Sequence, residues 1–316
     1  MPWQAPLWQH WRARISAGRL PHALLIAGPA GIGKHRLVRA LVAALLCRQT
    51  RADGSGCGRC PGCRQLLAGV HPSLQWLRRD PERRDIGIDA VRDLCQALTM
   101  TSHDNGVKVA VIDPVDALNI NGFNALLKNL EEPPTASHLL LLSRRPMVLP
   151  ATVRSRCQLL RCTPPTPEQA RDWLAEQLPQ AGLGELEAIL AGSLGAPLAA
   201  LQHWQPQLRE RHARWHRVLE RVMAGELPPL QAAGQIEVLR EGRDIMLEFF
   251  TWCYQHALAG AREALADAAS ARLRRWLQMG EAAVAAMRGV EANASPQLLL
   301  EAAFERMRQT PRTAVD

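Results

Sequence analysis

No stretch of the 316 residues approaches the long uncharged apolar run of a membrane-spanning helix, so a protein embedded in a bilayer is not expected. The start, Met1-Pro2-Trp3-Gln4, has no basic stretch followed by an apolar one and a small-residue cleavage site, which argues against export. The expectation is a cytoplasmic protein. Internal repeats and low-complexity tracts are also absent. Nor is there a polybasic tract: 38 lysines and arginines against 30 acidic residues give a formal charge of +8, but arginine is spread along the whole chain. That balance permits phosphate contact with nucleic acid and equally fits a solvated basic surface. What is present is ordinary globular composition, with 47% hydrophobic residues, in a chain longer than one usual domain; two or three folding units are expected.

Cysteine is distributed unevenly. Cys95, Cys157, Cys162 and Cys253 are scattered among apolar neighbours, whereas Cys47, Cys57, Cys60 and Cys63 cluster with spacings of nine, two and two residues. In a reducing compartment such clustering points to metal and not to disulfides. The intervening segment, Arg51-Ala52-Asp53-Gly54-Ser55-Gly56, is rich in glycine and charge and has little apolar material with which to bury free thiols. Four thiolates with no open position favour a structural zinc site that adds folding energy and performs no chemistry. Iron–sulfur ligation is the rival, disfavoured by the tight spacing and the lack of a redox motif elsewhere.

Residues 1–165 alternate short apolar runs with helical patterns, the signature of an α/β fold in which helices cover both faces of a parallel sheet. Strands are predicted at 22–27, 73–77, 107–112, 138–142 and 158–161, and helices at 34–47, 88–100 and 116–130. The cysteine cluster then falls in an insertion after the first of these helices. In Thr163-Pro164-Pro165-Thr166-Pro167, three prolines in five residues mark a domain boundary. Everything beyond it has helical periodicity, first in short segments and then in long ones. A small helical lid over 166–205 and an all-α bundle over 206–316 are predicted.

Gly28-Pro29-Ala30-Gly31-Ile32-Gly33-Lys34 follows an apolar strand and opens an apolar helix, as a phosphate-binding loop does. Gly28, Gly31 and Gly33 let backbone N–H groups wrap an anion, the helix start adds its dipole, and Lys34 supplies a cation for the outer phosphates. A glycine-rich turn with no ligand is the plain alternative, and occupancy by ATP or ADP stays open. Two departures weaken hydrolysis. His35 stands where a serine or threonine hydroxyl would hold magnesium, and imidazole is a poor ligand for that ion. The strand at 109–112 ends in Asp113, suited to orient hydrated magnesium, but the next residue is Pro114, which cannot polarise water. Asp116 is read as an N-cap of the following helix.

Taken in order, Gly18-Arg19-Leu20-Pro21-His22-Ala23-Leu24-Leu25, the loop, the four cysteines, the strand ending Asp113-Pro114, and Asn124-Ala125-Leu126-Leu127-Lys128-Asn129-Leu130-Glu131-Glu132-Pro133-Pro134 resemble the clamp-loader AAA+ subunits of bacterial DNA polymerase III. Ser155-Arg156-Cys157, after Leu149-Pro150-Ala151-Thr152-Val153, extends the likeness. In that family this arginine reaches the nucleotide of an adjacent subunit, so the resemblance implies that Arg156 is an arginine finger acting in trans, a role a guanidinium can fill by neutralising charge on the transferred phosphoryl group. A surface-paired arginine is the bland reading. Asp113-Pro114 and the lack of a cation at Gly195-Ala196-Pro197 resemble the non-motor members of that family and not its gamma/tau motors.

The resemblance implies a stator-like subunit of a five-membered loader that opens the ring-shaped sliding clamp and places it on primed DNA. Its implied partners are gamma/tau and delta, within a DNA-directed DNA polymerase (nucleotidyltransferase) holoenzyme. The C-terminal domains of the family form a collar, for which Phe249, Phe250, Trp252 and Tyr254 are candidate contacts; core burial is their simpler reading. Two rival functions remain: an active AAA+ ATPase motor of the same machine, and a zinc-dependent nucleic-acid-binding module.

Overall fold

The computed structural model describes residues 1–80, 83, 85–100, 106–236, 242–267 and 269–308. The chain divides into two compact units, Met1–Gln169 and Ala170–Asp316. In the first, five parallel strands form one sheet: β1 (Ala23–Ala27), β2 (Leu74–Arg78), β3 (Lys108–Asp113), β4 (Ser137–Ser143) and β5 (Gln158–Arg161), in spatial order β2-β3-β4-β1-β5. β1 lies between β4 and β5, with Leu25 opposite both Leu141 and Leu159. All five of its residues are buried, as a strand covered on both faces must be. Here the α/β reading of the first half holds.

Helices α1 (Ala5–Ser16), α2 (Lys34–Leu46), α3 (Pro61–Leu67), α4 (Ile88–Thr99), α5 (Ile120–Glu131) and α6 (Ala151–Arg154) belong to this unit. On one face of the sheet, Leu25, Ile112 and Leu141 pack with Val91 and Leu94 of α4 and Phe123 and Leu126 of α5. One helix starts later than expected. A 3-10 turn, Val115–Ala117, follows β3, and α5 is capped by Asn119, whose Oδ1 accepts the Gly122 N–H at 2.9 Å. Asp116 is therefore no helix cap. Its carboxylate accepts the Ser143 hydroxyl and the Arg144 N–H, both at 2.6 Å, and so ties the end of β3 to the end of β4.

The second unit is helical: α7 (Pro167–Gln177, crossing from the first unit), α8 (Leu183–Gly192), α9 (Pro197–His203), α10 (Pro206–Met223), α11 (Pro229–Gln235), α12 (Arg243–Ala266), α13 (Ser270–Glu291) and α14 (Pro296–Arg308). Phe249, Phe250 and Phe304 are fully buried in a core shared by α10 to α14. Phe249 and Phe250 thus serve their own unit, while Trp252 and Tyr254 are only partly buried at its margin. No single helix among the described residues is long and apolar enough to cross a membrane.

Candidate functional site

In the loop between β1 and α2, Gly28, Gly31 and Gly33 all have positive φ. Gly28 needs to lack a side chain, because a Cβ there would come within 2.5 Å of the Cys162 carbonyl oxygen. Gly33 precedes α2 at φ 96°, a left-handed conformation that glycine adopts without strain. Lys34 does not point outward. Its Nζ donates to the carbonyls of Gly28 at 2.7 Å and Pro29 at 2.6 Å, closing the loop on itself. Burial, and next the Arg144 guanidinium, bring its ammonium down to about 8 against the pull of Asp113 and Asp116.

Beside it, His35 Nδ1 lies 2.8 Å from Asp113 Oδ2, so the imidazole at the start of α2 occupies the carboxylate at the end of β3. Pro114 follows with no side-chain group to hold water. The opening residues approach the loop from its other side, a contact unsuspected from sequence. Trp3 Nε1 and Gln4 Nε2 both donate to the Ile32 carbonyl, at 2.9 and 3.0 Å, and both residues are buried. The Met1 side chain lies where a Cβ on Gly33 would go. The sequence signal for this is slight: a tryptophan at position 3 with no local pattern to place it.

The four clustered cysteines come together between the end of α2 and the start of α3. Their sulfur atoms all lie within 4.8 Å of one another, and the group could hold a metal ion. Cys47 to Cys60 and Cys57 to Cys63 are each 3.9 Å apart, close to the edge of about 3.8 Å in a tetrahedron with metal–sulfur bonds of ~2.3 Å. Although their segment is polar, all four are buried and form a cluster of their own. Main-chain donors serve the sulfurs: Cys57 N–H reaches Cys47 Sγ at 3.2 Å, Cys60 N–H reaches Cys57 Sγ at 3.3 Å, and Cys63 N–H reaches Cys60 Sγ at 3.4 Å. Such donors bring the Cys60 thiol down to about 6 and also lower Cys57, while burial pushes Cys63 up to about 12. Cys95, Cys157 and Cys162 are raised to about 11, chiefly by burial, and Cys253 is raised for the same reason, as expected of inert core thiols.

Arg156 sits in the turn between α6 and β5, with its side chain 36% exposed. Its Nη2 pairs with Glu131 Oε1 at 2.7 Å, and Nη1 donates to the Thr152 carbonyl at 3.0 Å. Glu131 is the last residue of α5 and belongs to the same sequence block that carried the resemblance, yet its pairing with Arg156 was not foreseen. At the start of α9, the Gly195-Ala196-Pro197 turn carries no cationic side chain.

A family model described as DNA polymerase III, delta subunit matches residues 3–166. The DNA polymerase III subunit delta' of Pseudomonas aeruginosa is 40% identical over 213 residues, 67% of this chain and 64% of its own. That of Haemophilus influenzae is 30% identical over 259 residues, 81% of this chain and 78% of its own. The DNA polymerase III subunit tau of Escherichia coli is 37% identical over a shorter 143 residues, 45% of this chain and 22% of its own. The chain thus spans a little under two thirds of the Pseudomonas protein's length.

Proposed function

The chain belongs to the DNA polymerase III delta-subunit family, with the delta-prime proteins among its relatives, and we propose that it is the delta-prime stator of a clamp loader. In this reading it assembles with gamma/tau and delta subunits, helps load a sliding clamp onto primed DNA, and hydrolyses no nucleotide itself. Residues 166–205 act as its lid and 206–316 as its collar domain.

One observation carries the non-hydrolysing part. With His35 on Asp113 at 2.8 Å, the carboxylate that would orient a hydrated magnesium ion is already engaged by a group that cannot replace the missing hydroxyl ligand. Pro114 offers no base, and Lys34 gives two of its three donors to the loop's own carbonyls. These residues do not fit a metal-bound triphosphate poised for cleavage. Arg156, by contrast, is exposed enough to be lent: a surface ion pair with Glu131 is worth about 0–1 kcal/mol, little enough for a neighbour's phosphate to displace it. The cysteine site fits zinc held by Cys47, Cys57, Cys60 and Cys63, a closed structural centre between α2 and α3.

The test is co-purification with gamma/tau and delta, followed by ATPase assay of the isolated chain and of the assembled complex. The isolated chain should turn over ATP no faster than its Lys34→Ala variant. Lysine-dependent hydrolysis by the lone chain at a motor's rate would instead establish the motor reading.

A further inference from the structure

β2 is an edge strand, and it borders a groove of about 880 Å³ that has no part in the phosphate loop or in the Arg156 turn. The groove runs between β2, the outer face of α2 and α3, with Arg39, Val42, Leu66, Leu67, Trp76 and Arg78 among its walls. We propose that it receives an extended, acidic and apolar segment of a partner protein, which adds a sixth strand beside β2.

The main chain supplies the first argument. Ser73 accepts the Val109 N–H through its carbonyl, and the Arg79 N–H donates to Asp113, so the odd-numbered positions face β3. Alternation along a strand then turns the N–H and C=O groups of Trp76 and Arg78 toward the open edge, where no strand among the described residues pairs with them. An extended peptide satisfies such an edge by backbone hydrogen bonds and gains specificity from the side chains it sets into adjoining pockets.

Side chains supply the second. Leu77 packs into the core beneath the sheet, which places Leu74, Trp76 and Arg78 on the opposite face with α2. The Trp76 indole N–H is buried there with no hydrogen-bond partner among the described residues, a donor left waiting. Leu67, which lines the groove, is 81% exposed and gives its rim apolar surface. Charge supplies the third. Arg39 and Arg78 are exposed and line the groove, Arg78 lying 5.0 Å above the Trp76 ring, while no carboxylate among the described residues lines it. An acidic peptide fits that field, and an open main-chain edge favours peptide over nucleic acid.

Panning a random dodecapeptide display library against the full chain tests this. The expected sequences alternate apolar residues and carry aspartate or glutamate. Once synthesised, they should shift the backbone amide resonances of Trp76 and Arg78 and bind roughly tenfold more weakly to an R39E/R78E double variant. Methylating alternate main-chain nitrogens of the peptide should abolish binding. Any of four results overturns the proposal: no enrichment; enrichment of basic, proline-rich or helical sequences; shifts that map elsewhere; or a single-stranded oligothymidylate that perturbs the same amides more strongly than every enriched peptide.

Discussion

Arg156 and Glu131 illustrate how one exposed ion pair separates a structural from a functional role. Removing the guanidinium should leave folding and assembly intact, because the pair contributes about 0–1 kcal/mol. In the assembled loader, Arg156→Ala should abolish the share of ATP turnover that passes through the site it faces, since a trans arginine is worth roughly 10³–10⁵ in rate. Glu131→Gln should leave that turnover intact. Equal losses from both variants would mean that the pair, and not the free finger, is what the complex needs. At the cysteine centre, Cys57→Ser with Cys60→Ser should release zinc, measured by metal analysis of the purified chain, and lower Tm by about 2–4 °C for each kcal/mol lost in a unit of this size. An unchanged metal content would remove the proposed site. The cysteine cluster could be read from sequence because a four-thiol group shows in close spacing along the chain. Glu131 could not, because its partner lies in another element and only the fold brings them together.

Among the elements, those with strong local patterns were legible. The five strands were expected within about one residue of their observed limits, because buried parallel strands read as continuous apolar runs. The start of α5 was misjudged by four residues. Asp116 resembles a helix cap locally, but tertiary bonds to Ser143 and Arg144 claim its carboxylate and leave capping to Asn119. Periodicity carries no information about such a tie. Residues 1–4 are a comparable case: they form a turn whose Trp3 is 7% exposed and hydrogen-bonded to the Ile32 carbonyl. Trp3→Ala should cost about 3–5 kcal/mol, a fall in Tm on the order of 10 °C in thermal unfolding. A change of only a degree or two would mean that the segment lies loosely on the loop.

Across the whole chain, buried histidines make stability answer to acid. In the helical unit, His203 and His256 are held below the ordinary value of 6.5, mainly by burial, and His212 with nearby charges keeps Glu248 low as well. The histidines accept protons less readily when folded than when unfolded. Below 6.5, therefore, the unfolded chain holds more protons, and stability falls as pH falls toward their folded values. Glu248 adds a loss of the same sign lower still, as pH drops through its depressed folded value. Among the described residues of the first unit, His138 in β4 is of the same kind. Tm should be lower at pH 5.5 than at pH 7.5, and replacing both His203 and His256 with glutamine should shrink that difference. An equal drop in the double variant would place the acid sensitivity elsewhere.

The pairing of His35 with Asp113 also bears on what the chain can become. Threonine at position 35 would free the carboxylate, but Pro114 would still offer nothing to draw a proton from water. On the proposed reading, hydrolysis would need changes at positions 35 and 114 together, and neither alone would supply it.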